Sequence, residues 1–402
     1  MLLTTMPENR NSRREIFFTY LRLGCVCFGG PAAHLGYFRE EFVTRRKWLE
    51  EGDYAELIAL CQSLPGPSSS QLGFAIGWWR GGFAGALLAW LGFTLPSALL
   101  MLTAAYGLFA MGPSHLDYLN GFLIAAVAVV AKAVLGMAPK LCPDLPRILL
   151  AVLGTVLALT VPGSFGQLSV VCLGLAAGIL FLRKAPDDKP VRLQNKNPYS
   201  SLPSARFNRQ ITLPAVFFFA ALLALATIQS PNQPGALFAM HYQAGALVFG
   251  GGHVVLPLLD HSIVANGLIT ETEFLAGYGA AQLLPGPLFA ISAFTGTVAS
   301  GYPLGGLVAL LAIFLPGLLL VAALLPVWHL YRQNQWARAG LAGVNAVVVG
   351  LLLAALITPV WARGIQSWGD AGIAVLAFIA LQYTKLPAWL VVTGCAVAGM
   401  LI

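Results

Sequence analysis

Long apolar stretches separated by short polar segments dominate the chain from about residue 83 onward. A helix needs about 20 residues to cross the hydrocarbon core of a bilayer, so most of these stretches predict membrane-spanning helices, and the shorter ones should be tilted or shielded by neighbours. The stretches are continuous and do not alternate apolar with polar residues, as membrane β-barrel strands do. We therefore predict an all-α polytopic membrane protein. The apolar stretches lie at about 83–110, 115–138, 147–162, 166–182, 211–229, 304–327, 337–358, 371–383 and 387–402.

One series of motifs occurs twice in the chain at an almost constant distance. Phe28-Gly29-Gly30 recurs as Phe249-Gly250-Gly251 at an offset of 221, and Pro65-Gly66-Pro67 recurs as Pro285-Gly286-Pro287 at an offset of 220. Chance would not supply such a series in order, so the sequence predicts two copies of one structural unit. Further pairs at an offset of 220 are Glu51 and Glu271, Gln62 and Gln282, Gly81 and Gly301, Gly85 and Gly305, and Leu95-Pro96 and Leu315-Pro316.

Each copy begins with two apolar runs that are too short to span a membrane. In the first copy, the run from Ile16 to Phe28 has about 13 residues and the run from Tyr54 to Leu64 is shorter still. Each run stops at Gly or Pro residues and then resumes. We interpret each as a broken or re-entrant helical hairpin, in which two half-helices meet near the middle of the membrane. Two short spanning helices would give the same topology, and the sequence does not separate these alternatives.

The composition narrows the class of protein. Of the 402 residues, 58% are hydrophobic and only 10% are charged, and the mean hydropathy is +0.77. An average soluble protein has about 25% charged residues, so the composition excludes a soluble enzyme, a nucleic-acid-binding protein and a disordered chain. The six cysteines lack the spacing of a metal site. We therefore expect no disulfide framework, no metal and no other cofactor.

The positions of Lys and Arg predict the topology, because segments rich in these residues stay in the cytoplasm. Nine of the 23 Lys and Arg residues lie between Arg10 and Arg80, whereas none lies between Arg209 and Arg332. The loop between the two hairpins should therefore face the cytoplasm in the first copy and the outside in the second. The two copies are then inverted-topology repeats. The N-terminus is expected in the cytoplasm and the C-terminus outside.

These patterns divide the chain into three parts. We assign residues 1–182 to the first repeat and residues 211–402 to the second, inverted repeat, which has an extra leading transmembrane helix. Residues 183–210 carry seven basic residues and four prolines. This composition is typical of a flexible cytoplasmic linker.

The helix breaks are the candidate substrate site. A break within the bilayer leaves backbone groups unpaired, so it must be buried or line a polar cavity. Because helix N-termini carry a partial positive charge, several half-helices aimed at one cavity would bind an anion without a charged side chain. Kinks that serve only packing are the alternative. The candidate substrate-binding residues are Gly29, Gly30, Pro31, Gln62, Pro65, Gly66, Pro67, Ser68, Ser69, Ser70, Gly250, Gly251, Gly252, Gln282, Pro285, Gly286 and Pro287.

Several of these candidates have a specific expected role. Pro31, Pro67 and Pro287 suit the first position of a half-helix, because proline there loses no hydrogen bond. Ser68, Ser69 and Ser70 would add hydroxyl donors at one such start. Gln62 and Gln282 either donate to the substrate or cap a broken helix.

Five ionisable residues complete the candidates, and each has two interpretations. Arg22 and Arg80 either attract anions to the inner mouth or anchor the protein at the interface, and Lys132 either attracts anions or extends to the membrane surface. His34 and His253 either cap broken helices or carry protons for coupled transport. We expect no carboxylate in the middle of a span.

The motifs resemble those of the chromate ion transporter family, in its two-domain, long-chain type. The resemblance rests on Phe28-Gly29-Gly30-Pro31-Ala32-Ala33-His34 with Pro65-Gly66-Pro67, on Phe249-Gly250-Gly251-Gly252-His253 with Pro285-Gly286-Pro287, and on the two Leu-Pro pairs. It covers nearly the whole chain outside the linker and termini. It implies a bacterial inner-membrane transporter that exports chromate and uses the proton-motive force. Sulfate, which is isosteric with chromate, is the related substrate that the resemblance also implies.

Two other functions remain open at this point. An anion channel or uniporter would have the same broken-helix architecture. A membrane serine hydrolase using Ser68–Ser70 is disfavoured, because no Gly-x-Ser-x-Gly motif surrounds these serines and the second copy has Leu288-Phe289 there. The expected partners are chromate or a similar oxyanion, protons, the lipid bilayer and, in a homodimer, a second copy of the chain; no nucleic acid is expected.

Overall fold

The computed structural model describes residues 12–111, 115–161, 163–182, 209–228, 235–249, 252–328, 334–384 and 386–399. Every regular element in these ranges is helical, which confirms the prediction of an all-α protein. The predicted linker, residues 183–210, lies almost entirely outside the described residues. The helices are α1 (Arg13–Val26), α2 (Gly30–Arg39), α3 (Glu51–Ser63), α4 (Ser68–Met111), α5 (His115–Leu141), α6 (Leu145–Thr160), α7 (Gly163–Phe181), α8 (Arg209–Ile228), α9 (Ala236–Leu247), α10 (Val255–Leu259), α11 (Glu271–Ala281), α12 (Ile291–Ser300), α13 (Pro303–Leu324), α14 (Gln335–Ala355), α15 (Trp368–Tyr383) and α16 (Ala388–Gly399).

Among the residues that the structure describes, four stretches of helix are long and apolar enough to cross a membrane by length and composition. They are Ser68–Phe109, Asn120–Leu141, Pro303–Leu324 and Gln335–Gly364. Other apolar helices, such as α6, α7, α15 and α16, are shorter. A short helix does not span the full thickness of the bilayer, so it must pack against longer neighbouring helices.

The two halves contain the same elements in the same order. Helices α1 to α3 correspond to α9 to α11, and the two arms of α4, which bends at Gly82, correspond to α12 and α13. Helices α5, α6 and α7 correspond to α14, α15 and α16. Smaller features also match: π-helical segments cover Glu40–Arg45 and Asp260–Val264. Lys47 and Gly267, 220 residues apart, both have positive φ.

The halves interlock through their longest helices. Helix α5 of the first half packs against α15 and α16 of the second, and α14 of the second half packs against α6 and α7 of the first. Small residues let these backbones approach closely: Gly121 lies against Cys395, and Gly343 lies between Gly174 and Gly178. Helix α8, which has no counterpart in the first half, packs on α9 and α13.

The breaks between half-helices occur where the sequence predicted them. Helix α1 ends at Val26 and α2 begins at Gly30, with Pro31 in its first turn. Pro67 and Pro287 were expected as the first helical residues, but each lies one position earlier, directly before Ser68 and before the 3₁₀ turn Leu288–Ala290. A proline in extended conformation ends the loop there, and the helix begins after it.

Candidate functional site

The Pro-Gly-Pro loop of each half reaches across to the other half. The amide of Gly66 donates to the carbonyl of Val248, just after α9, over 2.7 Å. The amide of Gly286 donates to the carbonyl of Cys27, just after α1, over 2.9 Å. We call these two bonds the crossed loop contacts. They pair each break of one half with a break of the other, so the four breaks meet at the junction between the halves.

The loop glycines also pack tightly against the opposite half. A Cβ on Gly66 would lie 3.0 Å from the Cα of Gly317, and a Cβ on Gly286 would lie 2.9 Å from Oγ of Ser97. Gly317 and Ser97 each follow a Leu-Pro pair and are 220 residues apart. Both loop glycines have strongly positive φ, 117° and 94°. Only glycine satisfies the backbone conformation and the close approach together.

Gln71 reinforces one of these loops. Its Nε2 atom donates to the carbonyl of Pro65 over 2.8 Å and to the carbonyl of Gly317, in the other half, over 3.2 Å. The side chain is fully buried. The counterpart 220 residues later is Ile291, so only the first half has this polar tie.

The start of α4 carries a buried polar cluster. Ser69 and Ser70 are 2% and 1% exposed, and Ser68 is partly exposed. Nδ1 of His34, on α2, lies 3.2 Å from Oγ of Ser69. Nε2 of His34 and Oγ of Ser70 are buried and have no partner among the described residues. The cluster therefore has hydrogen-bonding capacity to spare at a helix N-terminus, where the amides of the first turn also lack intrahelical partners.

The same position in the second half is apolar. Leu288, Phe289, Ala290 and Ile291 follow Pro287 and are all buried. His253, in the 3₁₀ turn that begins at Gly252, has its Nδ1 2.7 Å from the hydroxyl of Tyr278 on α11. The structure therefore joins each candidate histidine to a hydroxyl, but places the two in different surroundings.

The remaining sequence candidates take different positions. Gly29 caps α2 in a left-handed conformation, and no atom lies within 4 Å of where a Cβ on Gly30 would be. Gln62 is exposed at the end of α3, away from the buried cluster. Gln282 follows α11, and its Nε2 is buried with no partner in the described ranges. Gly250 and Gly251 lie outside the described residues.

Arg22 does not stand free at the inner mouth. It lies 3.2 Å from the carboxylate of Glu41, which also pairs with Arg45 at 3.3 Å and Arg46 at 2.6 Å. The Glu41 side chain is only 5% exposed. Its burial alone would raise the pKa of this carboxyl, but the hydrogen bond from Arg46 and the nearby charges of Arg22 and Arg45 outweigh it and hold the pKa below its usual value.

The other two basic candidates also have protein partners. The guanidinium of Arg80 lies 5.4 Å from the ring centre of Trp48, at cation–π distance. Nζ of Lys132 donates over 2.7 Å to the carbonyl of Leu381, in the last turn of α15. Helix C-termini carry a partial negative charge, so this position suits a cation. The three basic residues thus support the packing of helices and loops.

The arrangement suits the binding of an anion and shows no sign of a metal centre. The first turns of α2 and α4 carry partial positive charge and amides that lack intrahelical partners, and two buried serines lie at the start of α4. The amides of Gly66 and Gly286 are used by the crossed loop contacts, so they are not available to a ligand. Within the described ranges, no group of three or more His, Cys, Asp or Glu residues could hold a metal ion.

Sequence reasoning missed the residues that join the halves. Gln71 is a single polar residue in an apolar helix, and a polar residue one turn beyond a Pro-Gly-Pro loop is a weak signal by itself. The comparison of Gln71 with Ile291 could have drawn attention to it, because the two copies differ there in polarity. The carbonyls of Cys27 and Val248 have no sequence signal, since every residue has a carbonyl.

Comparisons with known proteins agree with the motifs. A family model described as chromate transporter matches residues 14–181 and again residues 235–400. The chromate transport protein of Cupriavidus metallidurans is 30% identical over 400 residues, which are 96% of this chain and 92% of that protein. The chromate transport protein of Pseudomonas aeruginosa is 28% identical over 411 residues, with the same two coverages of 96% and 92%.

A shorter relative matches about one half of the chain. The uncharacterized transporter YwrA of Bacillus subtilis is 28% identical over 172 residues, which are 41% of this chain but 96% of YwrA. No solved structure matches. Since the family model covers most of the chain in two separate matches, and full-length relatives agree with it, the chain is a membrane protein that belongs to the chromate transporter family.

Proposed function

We propose that this chain is a secondary transporter that exports chromate, or a related oxyanion such as sulfate, from the cytoplasm across the inner membrane of a bacterium. The observation that carries the proposal is the pair of crossed loop contacts, which bring the starts of α2 and α4 to the junction of the two halves. Chromate is the first choice of substrate because relatives along the full length are chromate transport proteins.

The proposed anion site is one-sided. On the first half, the amides at the starts of α2 and α4 and the hydroxyls of Ser69 and Ser70 would hold the oxyanion. On the second half, the buried apolar residues Leu288 to Ile291 would form the wall. A tetrahedral oxyanion presents several acceptor atoms, so a surface of donors on one side is sufficient to orient it.

The proposed topology places this site between inverted repeats. Residues 1–182 and 211–402 are the two repeats and residues 183–210 are a cytoplasmic linker, with the N-terminus inside and the C-terminus outside. The matching order of elements in the two halves and the near-complete match of YwrA to less than half of the chain support a unit of this size. Sites at the interface of inverted repeats can open alternately to the two sides.

Coupling to protons is the finer part of the proposal. The inside-negative membrane potential favours anion exit by about 2.3 kcal/mol per charge per 100 mV, so voltage alone provides a driving force. If protons contribute, His34 and His253 are candidates, because each links a break to a hydroxyl on another helix. A uniporter or channel of the same architecture is the alternative.

Uptake of labelled chromate into everted vesicles tests the proposed function. Vesicles that contain the protein should accumulate chromate above the external concentration when a proton gradient or an inside-positive voltage is imposed, and sulfate should compete. The control is vesicles without the protein. Movement that is only downhill and does not saturate would show a channel, and no movement would refute chromate as substrate.

A further inference from the structure

Asp260 is a partly buried carboxylate that forms no ion pair within the part of the chain that the structure describes. It begins the π-helical segment Asp260–Val264, directly after α10. Its Oδ1 atom is buried and has no hydrogen-bond partner among the described residues, while the residue as a whole is partly exposed. An unpaired carboxylate that is withdrawn from water favours its neutral, protonated form. π-Helical turns within α-helices often occur at functional sites.

The equivalent loop of the first half also contains a buried acid, Glu41, one position after Glu40, the counterpart of Asp260. There, the buried carboxylate of Glu41 is surrounded by Arg22, Arg45 and Arg46. The second half has no Lys or Arg at all between Arg209 and Arg332, so its loop cannot supply such partners. The two loops therefore share their backbone form and differ in charge: the first surrounds the buried Glu41 with three arginines, and the second has no Lys or Arg of its own near Asp260 in sequence.

The nearest acid makes the charged form of Asp260 still less favourable. Glu271, at the start of α11, repels it electrostatically. Glu271 itself pairs with Arg363, whose Nε lies 2.6 Å from the Glu271 carboxylate. That pair is already formed, so Arg363 does not serve Asp260. Protonation of Asp260 removes the repulsion.

The other ionisable groups on the elements packed against this segment are engaged elsewhere or exposed, except for His261, which is half-buried and whose burial lowers its pKa. On α9, His241 uses both ring nitrogens, towards Leu237 and Thr295, and Tyr242 donates to Phe219. The remaining ionisable groups are Glu273 in the capping box of α11, Tyr278 bound to His253, exposed Cys172 on α7, and His261 next to Asp260 in the chain; α10 has none.

We propose that Asp260 is a proton-binding residue that couples anion transport to the proton gradient. This proposal rests on the proposed function and topology, in which the loop after α10 faces the outside. A proton from the external water binds the carboxylate and forms a neutral carboxylic acid, and it leaves again when the residue is exposed to lower proton activity. No covalent bond other than the O–H bond forms or breaks.

The test compares Asp260→Asn with Glu40→Gln. Glu40 is the positional counterpart 220 residues earlier and is exposed, so it is the matched control. Infrared difference spectra of the purified protein, titrated around neutral pH, should contain a carboxylic-acid band that disappears in Asp260→Asn and persists in Glu40→Gln. Asp260→Glu, which keeps the carboxyl group, should retain such a band and serves as a check on folding.

The second readout is chromate flux in vesicles. A pH gradient imposed at zero voltage should accelerate flux by the wild type and by Glu40→Gln, and this acceleration should be lost in Asp260→Asn. Flux driven by voltage alone should be the same in all three. Absence of the titrating band, or a normal response of Asp260→Asn to the pH gradient, would overturn the proposal. If the wild type moves no chromate, the proposed function fails, and the infrared titration still decides whether Asp260 binds a proton.

Discussion

Two glycines carry the contact between the halves at the level of single residues. Gly66 and Gly286 both have a positive φ. Both also pack so closely against the opposite half, at Gly317 and Ser97, that an added Cβ atom would lie within about 3 Å of it. Neither requirement can be relaxed by moving a side chain, because the neighbours include backbone atoms. The crossed loop contacts are therefore sensitive to the addition of a single methyl group.

We predict that Gly66→Ala and Gly286→Ala each lower the free energy of unfolding by about 2 kcal/mol, through backbone strain and overpacking. Chromate transport should slow by about tenfold or more, because the loops shift relative to the starts of α2 and α4. Thermal unfolding in detergent and vesicle uptake are the measurements. Gly372→Ala, where no atom lies within 4 Å of the new Cβ, is the control and should change neither. Normal uptake by both loop variants would mean that the contacts are structural only.

Glu41 is a second residue that stabilises the fold, because its carboxylate pairs with three arginines. Its pKa is lower in the folded protein than the usual value of 4.5, since the arginines stabilise its charged form. A lowered pKa contributes stability that is fully present above the unfolded value and is lost as the pH falls through the folded value. The contribution is moderated by solvent at Arg22 and Arg45, whose side chains are 51% and 60% exposed.

We predict that Glu41→Gln lowers the free energy of unfolding at pH 7 by about 2 kcal/mol, since three arginines lose their common partner. The wild type should lose this advantage on acidification below about pH 4.5, and the variant should show a flatter dependence on pH in that range. Unfolding temperatures across the pH series measure both. Glu40→Gln, at an exposed neighbour, is the control. Equal pH profiles for wild type and Glu41→Gln would contradict this account.

At the level of elements, part of the structure follows from the sequence and part does not. The short half-helices and their breaks follow from Gly and Pro, whose backbone limits act locally. The long helices follow from runs of apolar residues. The exchange of partners, with α5 against α15 and α16 and α14 against α6 and α7, could not be predicted, because apolar faces of similar composition do not specify a partner. The hydrogen bond from Gln71 on α4 to Gly317 on α13 also joins the two halves and was missed for the same reason.

Lys132 shows how such a tie changes an interpretation. The sequence placed it as an anion-attracting candidate, whereas the structure shows its ammonium group on the carbonyl of Leu381 at the end of α15. It joins α5 of the first half to α15 of the second. A cation at a helix C-terminus is favourable both as a hydrogen-bond donor and as a partner of the helix dipole.

We predict that Lys132→Met, which replaces the side chain by an unbranched apolar one that is one atom shorter, lowers the free energy of unfolding by about 1 kcal/mol and leaves the KM for chromate unchanged. Thermal unfolding and concentration-dependent uptake separate the two effects. Lys140→Met, at an exposed position near the end of the same helix, is the control. A clear rise in KM with unchanged stability would restore the role in anion attraction.

At the level of the whole molecule, the account depends most on the inverted orientation of the two halves. Two halves that have the same order of elements and enter the membrane from opposite faces form an inverted repeat, and a site between such halves can open alternately to the two sides. The proposed external position of Asp260 follows from this orientation. Its present support is the absence of Lys and Arg between Arg209 and Arg332, against nine such residues between Arg10 and Arg80.

The sidedness of two equivalent loops tests this claim most directly. Lys47 and Asn266 are exposed residues in the corresponding loops of the two halves. Single cysteines at these positions, in a chain whose exposed Cys25 and Cys172 are replaced by serine, can be labelled in intact cells with a membrane-impermeant maleimide. We predict that Asn266→Cys is labelled from outside and that Lys47→Cys is labelled only after the membrane is opened. Labelling of both cysteines from the same side would contradict the inverted repeat and the transport mechanism built on it.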